Sequence, residues 1–582
     1  MKNLLFILVM RLCMGSNQVT AQYTKLLDFS GTNGYYPEGS FTIENEVLYG
    51  MTAYGGANQL GCVFKMNIDG TGYTTLLDFS GTADGACPHG SLILSGDILY
   101  GMTMMGGTND MGCIFKIKTD GSGYIKMFDF YGPLNGKYPY GSLLLSGNVL
   151  YGMTSQGGNA DKGCIFKINT SNSVFTKLFD FTGTSNGSTP HGSFTISGTV
   201  LYGMTAYGGG NNKGCIFKIN TDGTGYTTLL DFSGTADGER PYGSLILSGN
   251  ILYGMTRMGG TSNQGCIFSF NTDGTGYTRM YDFDGTYDGA YYPSGSLTRI
   301  GNVFYGMTTY GGTYGDGSVF KFDPTHDGFS RILNFNGLGN GSNPQGDLTL
   351  SGSTLYGMTY DGGSYDLGVI FKYVLKPATQ TSNITFPFVG INVADISWTN
   401  GSGEKRAVFV KKGTGTITDP ANNITYTAST DWNSKGTQLG TSGYYCVYNG
   451  TGNIVSITNL IPGATYTVQA FEYNGEEGNE HYQLRTETGN PNKFQTISLT
   501  AIPYVRDNPV QIYSYGSDIY AVIDYCNAKA QLAVFNLSGI CIAQSDNLVE
   551  GQNRITGIYN PGVYIVRLVL DNELYTQKVV IK

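Results

Sequence analysis

Short apolar runs separated by polar, glycine-rich turns repeat along the first two thirds of the chain. The clearest run is Leu-Tyr-Gly-Met-Thr, with Phe304 in place of the leucine in one copy. Its tyrosine recurs every 51 residues, with one step of 52, at seven positions: Tyr49, Tyr100, Tyr151, Tyr202, Tyr253, Tyr305 and Tyr356. A period of this length is typical of stacked or radial repeat folds.

Within one period the apolar runs predict four short strands. In the second unit these are 91–94, 98–103, 113–117 and 125–130, with turn residues such as Ser95-Gly96-Asp97 between them. Four strands in about 50 residues are typical of one blade of a β-propeller, whereas a solenoid coil is shorter.

The two ends of the array complement each other. The last unit has three strands (347–350, 354–359 and 369–375), and an unmatched fourth strand, 23–29, precedes the first unit. Pairing the two removes both exposed sheet edges. The sequence therefore predicts an all-β protein with a seven-bladed β-propeller over 22–376, closed by its N-terminal strand and followed by two small β-sandwich domains.

Composition supports a β-rich protein and excludes some functions. The chain has 87 glycines and 44 tyrosines among 582 residues, and charged residues make up 13%. The formal net charge of −9 argues against nucleic acid as a partner, because phosphate binding needs a basic surface. No segment is long and apolar enough to predict a transmembrane helix.

The first residues predict an export signal. Lys2 precedes an apolar run, 4–10, and small residues at 19–21 offer a cleavage site, so 1–21 reads as a signal peptide. Leu12 before Cys13 argues against a lipoprotein. The expected location is secreted, or attached to the outer-membrane surface after export.

Five of the ten cysteines occupy one slot of the repeat, where the last two units have Ser318 and Val369. A slot that accepts Cys, Ser or Val predicts a small, buried packing position rather than a metal ligand. Cys526 and Cys541 are candidates for pairing in the last domain, and the sequence leaves this open.

The repeated L-Y-G-M-T, the following G-G, G-C-I-F-K and the D-G-x-G-Y turn resemble the GloVer tandem repeat of bacterial "choice-of-anchor" surface proteins over 23–376. The resemblance implies an exported protein and no assigned reaction.

Two further segments follow the repeats. Residues 378–497 resemble a fibronectin type III domain with an insertion near 420–440. The resemblance rests on Trp398, which we expect in the core, and on the segment 459–468, which contains Tyr466. It implies that the hydroxyl of Tyr466 ties a corner of the sandwich to the backbone. Residues 498–582, through Asn508-Pro509, 534–539, 561–566 and the C-terminal 578–582, resemble the type A sorting domain of the type IX secretion system. That resemblance implies export by the type IX machinery, then removal of the domain and release or attachment to surface lipopolysaccharide.

One position in each repeat varies between a fixed proline and glycine just before the first strand. We expect these P-x-G residues to ring the mouth of a central channel, on the face with the longer loops. They are Glu38, His89, Tyr140, His191, Tyr242, Ser294 and Gln345. Ordinary rim residues without a ligand explain the variation equally well.

A second candidate ring follows L-Y-G-M-T and carries Tyr54, Tyr207 and Tyr310. Exposed tyrosines suit sugars and peptides, since each offers a flat apolar face and a polar tip. Packing between repeats is the alternative for each of them.

No catalytic constellation, cofactor motif or metal-ligand spacing is recognisable. The recurring Asp of L-D-F, for example Asp78, occurs too often for a catalytic pair and predicts a structural hydrogen-bond acceptor. The leading interpretation is a non-enzymatic adhesion or binding protein for glycans or peptides. The alternatives are an extracellular glycan-active hydrolase or lyase using Glu38, His89 and His191, and a structural surface-layer component.

Overall fold

The computed structural model describes residues 22–285, 289–326, 328–476, 478–498, 510–515, 518–523, 530–556, 560–570 and 573–581. The predicted signal peptide and Cys526 lie outside these residues. All the regular secondary structure within the described ranges is β-strand.

The described part of the repeat region holds thirty strands. In chain order they are β1 (Tyr23–Asp28), β2 (Thr42–Glu44), β3 (Val47–Thr52), β4 (Cys62–Asn67), β5 (Thr74–Asp78), β6 (Ile93–Ser95), β7 (Ile98–Thr103), β8 (Cys113–Lys118), β9 (Ile125–Asp129), β10 (Leu144–Ser146), β11 (Val149–Thr154), β12 (Cys164–Asn169), β13 (Phe175–Asp180), β14 (Thr195–Ser197), β15 (Val200–Thr205), β16 (Cys215–Asn220), β17 (Thr227–Asp231), β18 (Ile246–Ser248), β19 (Ile251–Thr256), β20 (Cys266–Asn271), β21 (Thr278–Asp282), β22 (Ala290–Tyr291), β23 (Thr298–Ile300), β24 (Val303–Thr308), β25 (Tyr310–Gly311), β26 (Ser318–Asp323), β27 (Gly328–Asn334), β28 (Thr349–Ser351), β29 (Thr354–Thr359) and β30 (Val369–Val374).

These strands form seven four-stranded antiparallel sheets and one short two-stranded pair, β22–β25. Six of the sheets use four strands that are consecutive within one unit, apart from the insertion of β25 in the sixth. The seventh has the order β1-β30-β29-β28, in which Tyr23 lies opposite Tyr373 and Asp28 lies opposite Val369. The four-strand content predicted for each unit is confirmed.

The prediction of a seven-bladed propeller is wrong. The strands form separate four-stranded sheets, and none of the sheets in the described ranges closes on itself. Neighbouring sheets meet through side chains and loop hydrogen bonds instead of a strand ladder, so this region is a series of repeated sheet units. The prediction relied on the first strand completing the last unit. That pairing is present, since β1 pairs with β30, but one sheet shared by the two ends of the array does not by itself define a propeller.

Hydrophobic clusters lie between consecutive sheets. Met51 of the first unit packs in one cluster with Leu99 and Phe115 of the second. Phe64 of the first unit shares another cluster with Met358 of the seventh. Each sheet therefore buries apolar side chains against a neighbour on both sides, which is the main stabilising contribution expected for this region.

The glycine of L-Y-G-M-T makes room for the phenylalanine of the neighbouring strand. A Cβ on Gly50 would lie 2.6 Å from the ring of Phe64, which is fully buried. The same pair recurs along the array, as in Gly101 and Phe115.

The strands of residues 382–495 are β31 (Ser382–Val389), β32 (Ala394–Thr399), β33 (Lys405–Lys412), β34 (Tyr445–Gly450), β35 (Ile454–Ile457), β36 (Thr465–Asn474), β37 (His481–Tyr482) and β38 (Asn492–Gln495). They form two sheets with the orders β31-β32-β35 and β34-β33-β36-β37, and β38 also pairs with β36.

Two features predicted for this segment are confirmed. Trp398 is buried in the cluster between the sheets. The Ile461 N–H donates to the hydroxyl of Tyr466 at 2.8 Å, which ties the corner of the chain to the strand as expected of a tyrosine corner.

The described C-terminal strands are β39 (Val510–Tyr515), β40 (Asp518–Ile523), β41 (Ala530–Asn536), β42 (Cys541–Leu548), β43 (Gly551–Ile555), β44 (Gly562–Leu570) and β45 (Glu573–Ile581). They form a three-stranded sheet, β39-β40-β43, and a four-stranded sheet, β42-β41-β44-β45, around one hydrophobic cluster.

Candidate ligand-binding cavity

The segments that carry the variable P-x-G residues form a continuous circle of hydrogen bonds. In each unit the residue after the glycine donates its backbone N–H to the side-chain oxygen of the equivalent residue in the next unit, over 2.5 to 2.8 Å. The residues in order are Ser40, Ser91, Ser142, Ser193, Ser244, Ser296 and Asp347, after which the circle returns to Ser40.

The glycines of these segments make a second, tighter circle. A Cβ added to any one of them would lie 2.2 to 2.4 Å from the carbonyl oxygen of the equivalent glycine in the next unit. No side chain fits at that distance, so the approach of neighbouring segments requires glycine. The seven positions are Gly39, Gly90, Gly141, Gly192, Gly243, Gly295 and Gly346.

The circle encloses a cavity of about 300 Å³. All seven variable residues line it, together with the serines, Asp347 and Arg257. The structure therefore brings together in one cavity the first set of candidate residues, including Gln345.

Five of the variable residues contact each other in sequence along one side of the cavity. Nδ1 of His89 lies 2.5 Å from Oε2 of Glu38, and the ring centroids of His89 and Tyr140 are 4.5 Å apart. Tyr140 lies 4.5 Å from His191, which stacks on Tyr242 at 4.5 Å with an interplanar angle of 6°. These side chains form what we call the aromatic arc (Glu38, His89, Tyr140, His191 and Tyr242).

Because the rings of the aromatic arc lie against one another, their faces are largely covered. They contribute phenol and imidazole groups to a cavity that the six serines of the circle and Asp347 also line. The chemistry of the cavity is therefore that of hydrogen bonding rather than stacking.

Arg257 extends the arc. Its guanidinium lies 5.1 Å from the ring centroid of Tyr242 and 5.8 Å from that of Tyr292, and its Nη1 donates to Oγ of Ser294 at 3.0 Å. Oγ of Ser294 lies 2.8 Å from Oγ1 of Thr309. These contacts hold the cation at the edge of the cavity.

Burial and local charge shift the pKa values of the groups in the cavity. Burial, with smaller contributions from the charges of His89 and Arg257, lowers the pKa of His191 to about 4, so its imidazole is neutral at pH 7. Burial raises the pKa of the Asp347 carboxyl. Burial and the neighbouring phenol of Tyr207 raise the pKa of Tyr242 to about 12, so this phenol keeps its proton.

The second candidate set, from the loops after L-Y-G-M-T, is more dispersed. The hydroxyls of Tyr207 and Tyr242 are 3.5 Å apart, which places Tyr207 next to the aromatic arc. Tyr54 stacks on Tyr35 at 5.7 Å, and Tyr310 stacks on Tyr291 at 5.8 Å. The three tyrosines are half-buried, and these ring contacts favour the packing alternative for Tyr54 and Tyr310, while a role in ligand binding stays a prediction.

Sequence reasoning missed the serine circle and Arg257. A signal for the first was present, because serine follows P-x-G in six of the seven units and only Asp347 departs. Arg257 is the one arginine among the seven residues that follow L-Y-G-M-T. Comparing the copies position by position would have found both.

Other repeated residues have structural roles, as predicted. The Asp78 carboxylate accepts the Ala57 N–H at 3.0 Å, and Asp28 accepts the Ser364 N–H at the same distance. Cys62 is fully buried, and burial raises the pKa of its thiol to about 11.

The described residues offer neither a metal site nor a membrane-spanning helix. Within the described ranges, no group of three or more His, Cys, Asp or Glu side chains is placed to hold a metal ion. The same ranges contain no apolar helix of membrane-spanning length.

Comparison with solved structures finds distant similarities. A candidate 6-phosphogluconolactonase from Bacteroides uniformis is 15% identical over 61% of this chain and 92% of its own, with a TM-score of 0.38. A puromycin hydrolase mutant is 10% identical over 65% of this chain and 61% of its own, with a TM-score of 0.37. A human fibronectin type-III domain is 14% identical over 22% of this chain and 94% of its own, with a TM-score of 0.15.

No curated protein matches the chain. The model of the Gloeobacter/Verrucomicrobia repeat matches it three times, over residues 13–214, 94–257 and 197–416. These matches cover the repeat region and more than half of the sequence, and the chain belongs to the Gloeobacter/Verrucomicrobia repeat family.

Proposed function

We propose that this is a non-enzymatic binding protein that takes a polar part of a glycan or peptide into the cavity enclosed by the seven P-x-G segments. One observation carries the proposal: residues from all seven units converge on a cavity of about 300 Å³, and at the variable position they differ in chemistry while the backbone around them repeats. A binding surface on a rigid scaffold has this pattern.

The cavity favours hydrogen bonding to a hydroxyl-rich or amide-rich ligand. Phenols and serine hydroxyls both donate and accept, and Gln345 adds an amide. Ring faces in the aromatic arc are engaged with each other, so stacking of a sugar on a free tyrosine face is not the basis of this proposal.

Catalysis by Glu38, His89 and His191 is the competing proposal, and the contact between Glu38 and His89 is the observation in its favour. Glycoside hydrolysis ordinarily uses two carboxyl groups on either side of the bond. The other carboxyl group lining the cavity belongs to Asp347, whose Oδ1 accepts the Ser296 N–H. That role in the backbone circle favours binding over hydrolysis.

Export and surface attachment are part of the same proposal. They rest on the signal-like residues 1–21 and on the resemblance of 498–582 to a type IX sorting domain, with lipopolysaccharide as the candidate anchor. The segment 378–497 then acts as a spacer. A purely structural role in a surface layer is the alternative, and it predicts no ligand for the cavity.

The test is binding of the full chain to an array of neutral, amino and acidic oligosaccharides and short peptides. The double variant Tyr140→Phe/Tyr242→Phe removes two hydroxyls from the cavity and keeps the packed rings. The control is Tyr310→Phe, since Tyr310 stacks on Tyr291 and is not among the residues lining the cavity. We expect the double variant to lose binding and the control to keep it. Cleavage of a bound oligosaccharide would favour the enzyme, and no binding by the wild type would overturn the proposal.

A further inference from the structure

Arg257 breaks the pattern of the repeat at the edge of the cavity. The residues that follow L-Y-G-M-T in the seven units are Ala53, Met104, Ser155, Ala206, Arg257, Thr309 and Tyr360. One unit thus places a permanent positive charge where the others place neutral side chains, so the cavity has a distinct cationic side.

The Arg257 guanidinium is held in place but still has free hydrogen-bond donors. Its contacts with Tyr242, Tyr292 and Ser294 fix its position, and the bond to Ser294 uses one of its five N–H groups. A positioned guanidinium with remaining donors suits a planar carboxylate, which can accept two parallel hydrogen bonds.

The charge of Arg257 has no carboxylate partner in the ion pairs between described residues. Two arginines of the same region do have one: Arg279 pairs with Asp282 at 3.1 Å, and Arg240 lies 4.0 Å from Glu239. Among the described residues, Arg299 and Arg331 share the lack of a carboxylate partner with Arg257, but neither of them lines the cavity. Of the two acidic side chains that line the cavity, Glu38 contacts His89 and Asp347 accepts a backbone N–H.

We propose that the cavity recognises a sugar residue that carries a carboxylate, as in a uronic acid, and that the carboxylate binds the Arg257 guanidinium. The inference rests on the proposed binding function and narrows its ligand class. A sugar is favoured over an acidic peptide because the rest of the lining is rich in hydroxyls, which can donate to and accept from the several hydroxyls of a sugar ring.

The probes are trigalacturonate and its neutral methyl ester, titrated into the full chain by calorimetry at low and physiological salt. We expect the acid to bind at least about tenfold more tightly than the ester, since a charge-assisted pair is about twice as strong as a neutral one. Added salt should reduce the difference. Equal affinities, or binding of neither probe, would overturn the inference; the proposed function would stand as long as any ligand of the oligosaccharide and peptide array binds.

Arg257→Gln should remove the preference for the acid and leave the weaker binding of the ester. The matched control is Arg240→Gln, which makes the same change in net charge at a residue whose guanidinium lies over Tyr207, 5.2 Å from the ring centroid, and which is not among the residues lining the cavity. A preference that survives Arg257→Gln, or that Arg240→Gln removes equally, would overturn the inference.

A second readout does not depend on the variant folding. Because Arg257 is one of the charges that lower the pKa of His191, a carboxylate bound to Arg257 should raise that pKa in the wild-type protein. NMR titration of the His191 imidazole with the acid and the ester measures this shift. An unchanged pKa at saturating acid would overturn the placement of the carboxylate.

Discussion

The backbone N–H of Asp347 donates to Oγ of Ser40 at 2.7 Å, across 307 positions of sequence. This bond joins the seventh unit to the first and completes the circle of hydrogen bonds around the cavity. Its length is similar to that of the six bonds between units that follow each other in the chain. The contact between the first and last units is therefore equivalent to the contacts between consecutive units.

Ser40→Ala should therefore cost as much stability as the same change inside the array. Each removes the acceptor of one partly buried N–H, and we expect the free energy of unfolding to fall by about 1 to 3 kcal/mol. Ser142→Ala is the matched variant, because Ser142 accepts the Ser91 N–H at 2.8 Å. Denaturant unfolding of both compares the losses. A measurable loss for Ser142→Ala alone would mean that the first and seventh units do not meet in solution.

Gly192→Ala should destabilise the protein because the added methyl group overlaps with a neighbouring backbone segment. Its Cβ would lie 2.3 Å from the Gly243 carbonyl oxygen, and overpacking of this kind costs about 1 to 3 kcal/mol, or more where backbone must move. Gly198→Ala is the control, because nothing lies within 4 Å of its Cβ and its positive φ of 58° leaves only a conformational penalty. Thermal unfolding should show the larger loss for Gly192→Ala, together with a weaker response to any ligand. Equal losses would contradict the close approach of the segments.

A chain that begins at residue 30 should be much less stable than one that begins at residue 22. The deletion removes β1 from the sheet with β28 to β30, exposes the edge of β30, and takes the fully buried Phe29 out of its cluster. Loss of the phenylalanine alone is worth about 3 to 5 kcal/mol. Differential scanning calorimetry measures the change in Tm. A peptide of residues 22–29 in excess should restore part of it, and a Tm equal to that of the longer chain would show that β1 does not pair with β30.

His191 predicts a dependence of stability on pH. Its folded pKa of about 4 is lower than its ordinary value of 6.5, so between these two values the unfolded chain binds more protons than the folded protein. The contribution of His191 is therefore fully present above pH 6.5 and is lost as the pH falls towards 4, by roughly 1 to 3 kcal/mol.

The difference between the wild type and His191→Gln, measured by denaturant unfolding at pH 7 and pH 4.5, isolates this contribution from that of Asp347. The raised pKa of Asp347 acts in the opposite direction, because protonation of a buried carboxyl favours the folded state at low pH. A difference that does not change with pH would contradict the burial of His191.

Periodicity and turn residues predicted the local structure well. The strand 98–103 was placed correctly as β7 from its apolar pattern, and the packing role of Cys62 followed from the Ser and Val that replace its equivalents. These properties depend on neighbours close in sequence or on comparison between copies, both of which one chain provides.

The arrangement of the sheets and the chemistry of the cavity were harder to predict. The pattern of apolar runs defines which strands belong to a unit. The contact between Ser40 and Asp347 joins two units far apart in the sequence, and the residues within one unit do not predict it. In the same way, the sequence predicted that Tyr140, His191 and Tyr242 share one rim, but it did not predict that their rings contact one another. Their stacking is a tertiary contact, and it changes the expected interaction with a ligand from stacking to hydrogen bonding.

The proposed binding function depends above all on whether a ligand occupies the cavity enclosed by the P-x-G segments. The measurement is a titration of the wild type and of Tyr140→Phe/Tyr242→Phe with the tightest-binding oligosaccharide from the array, with thermal unfolding of both proteins as the control for folding. We expect the two proteins to unfold at nearly the same temperature and the double variant to bind at least about tenfold more weakly, because two phenol hydroxyls are removed from residues that line the cavity. Equal affinity of the two proteins would contradict the central claim that this cavity is the binding site.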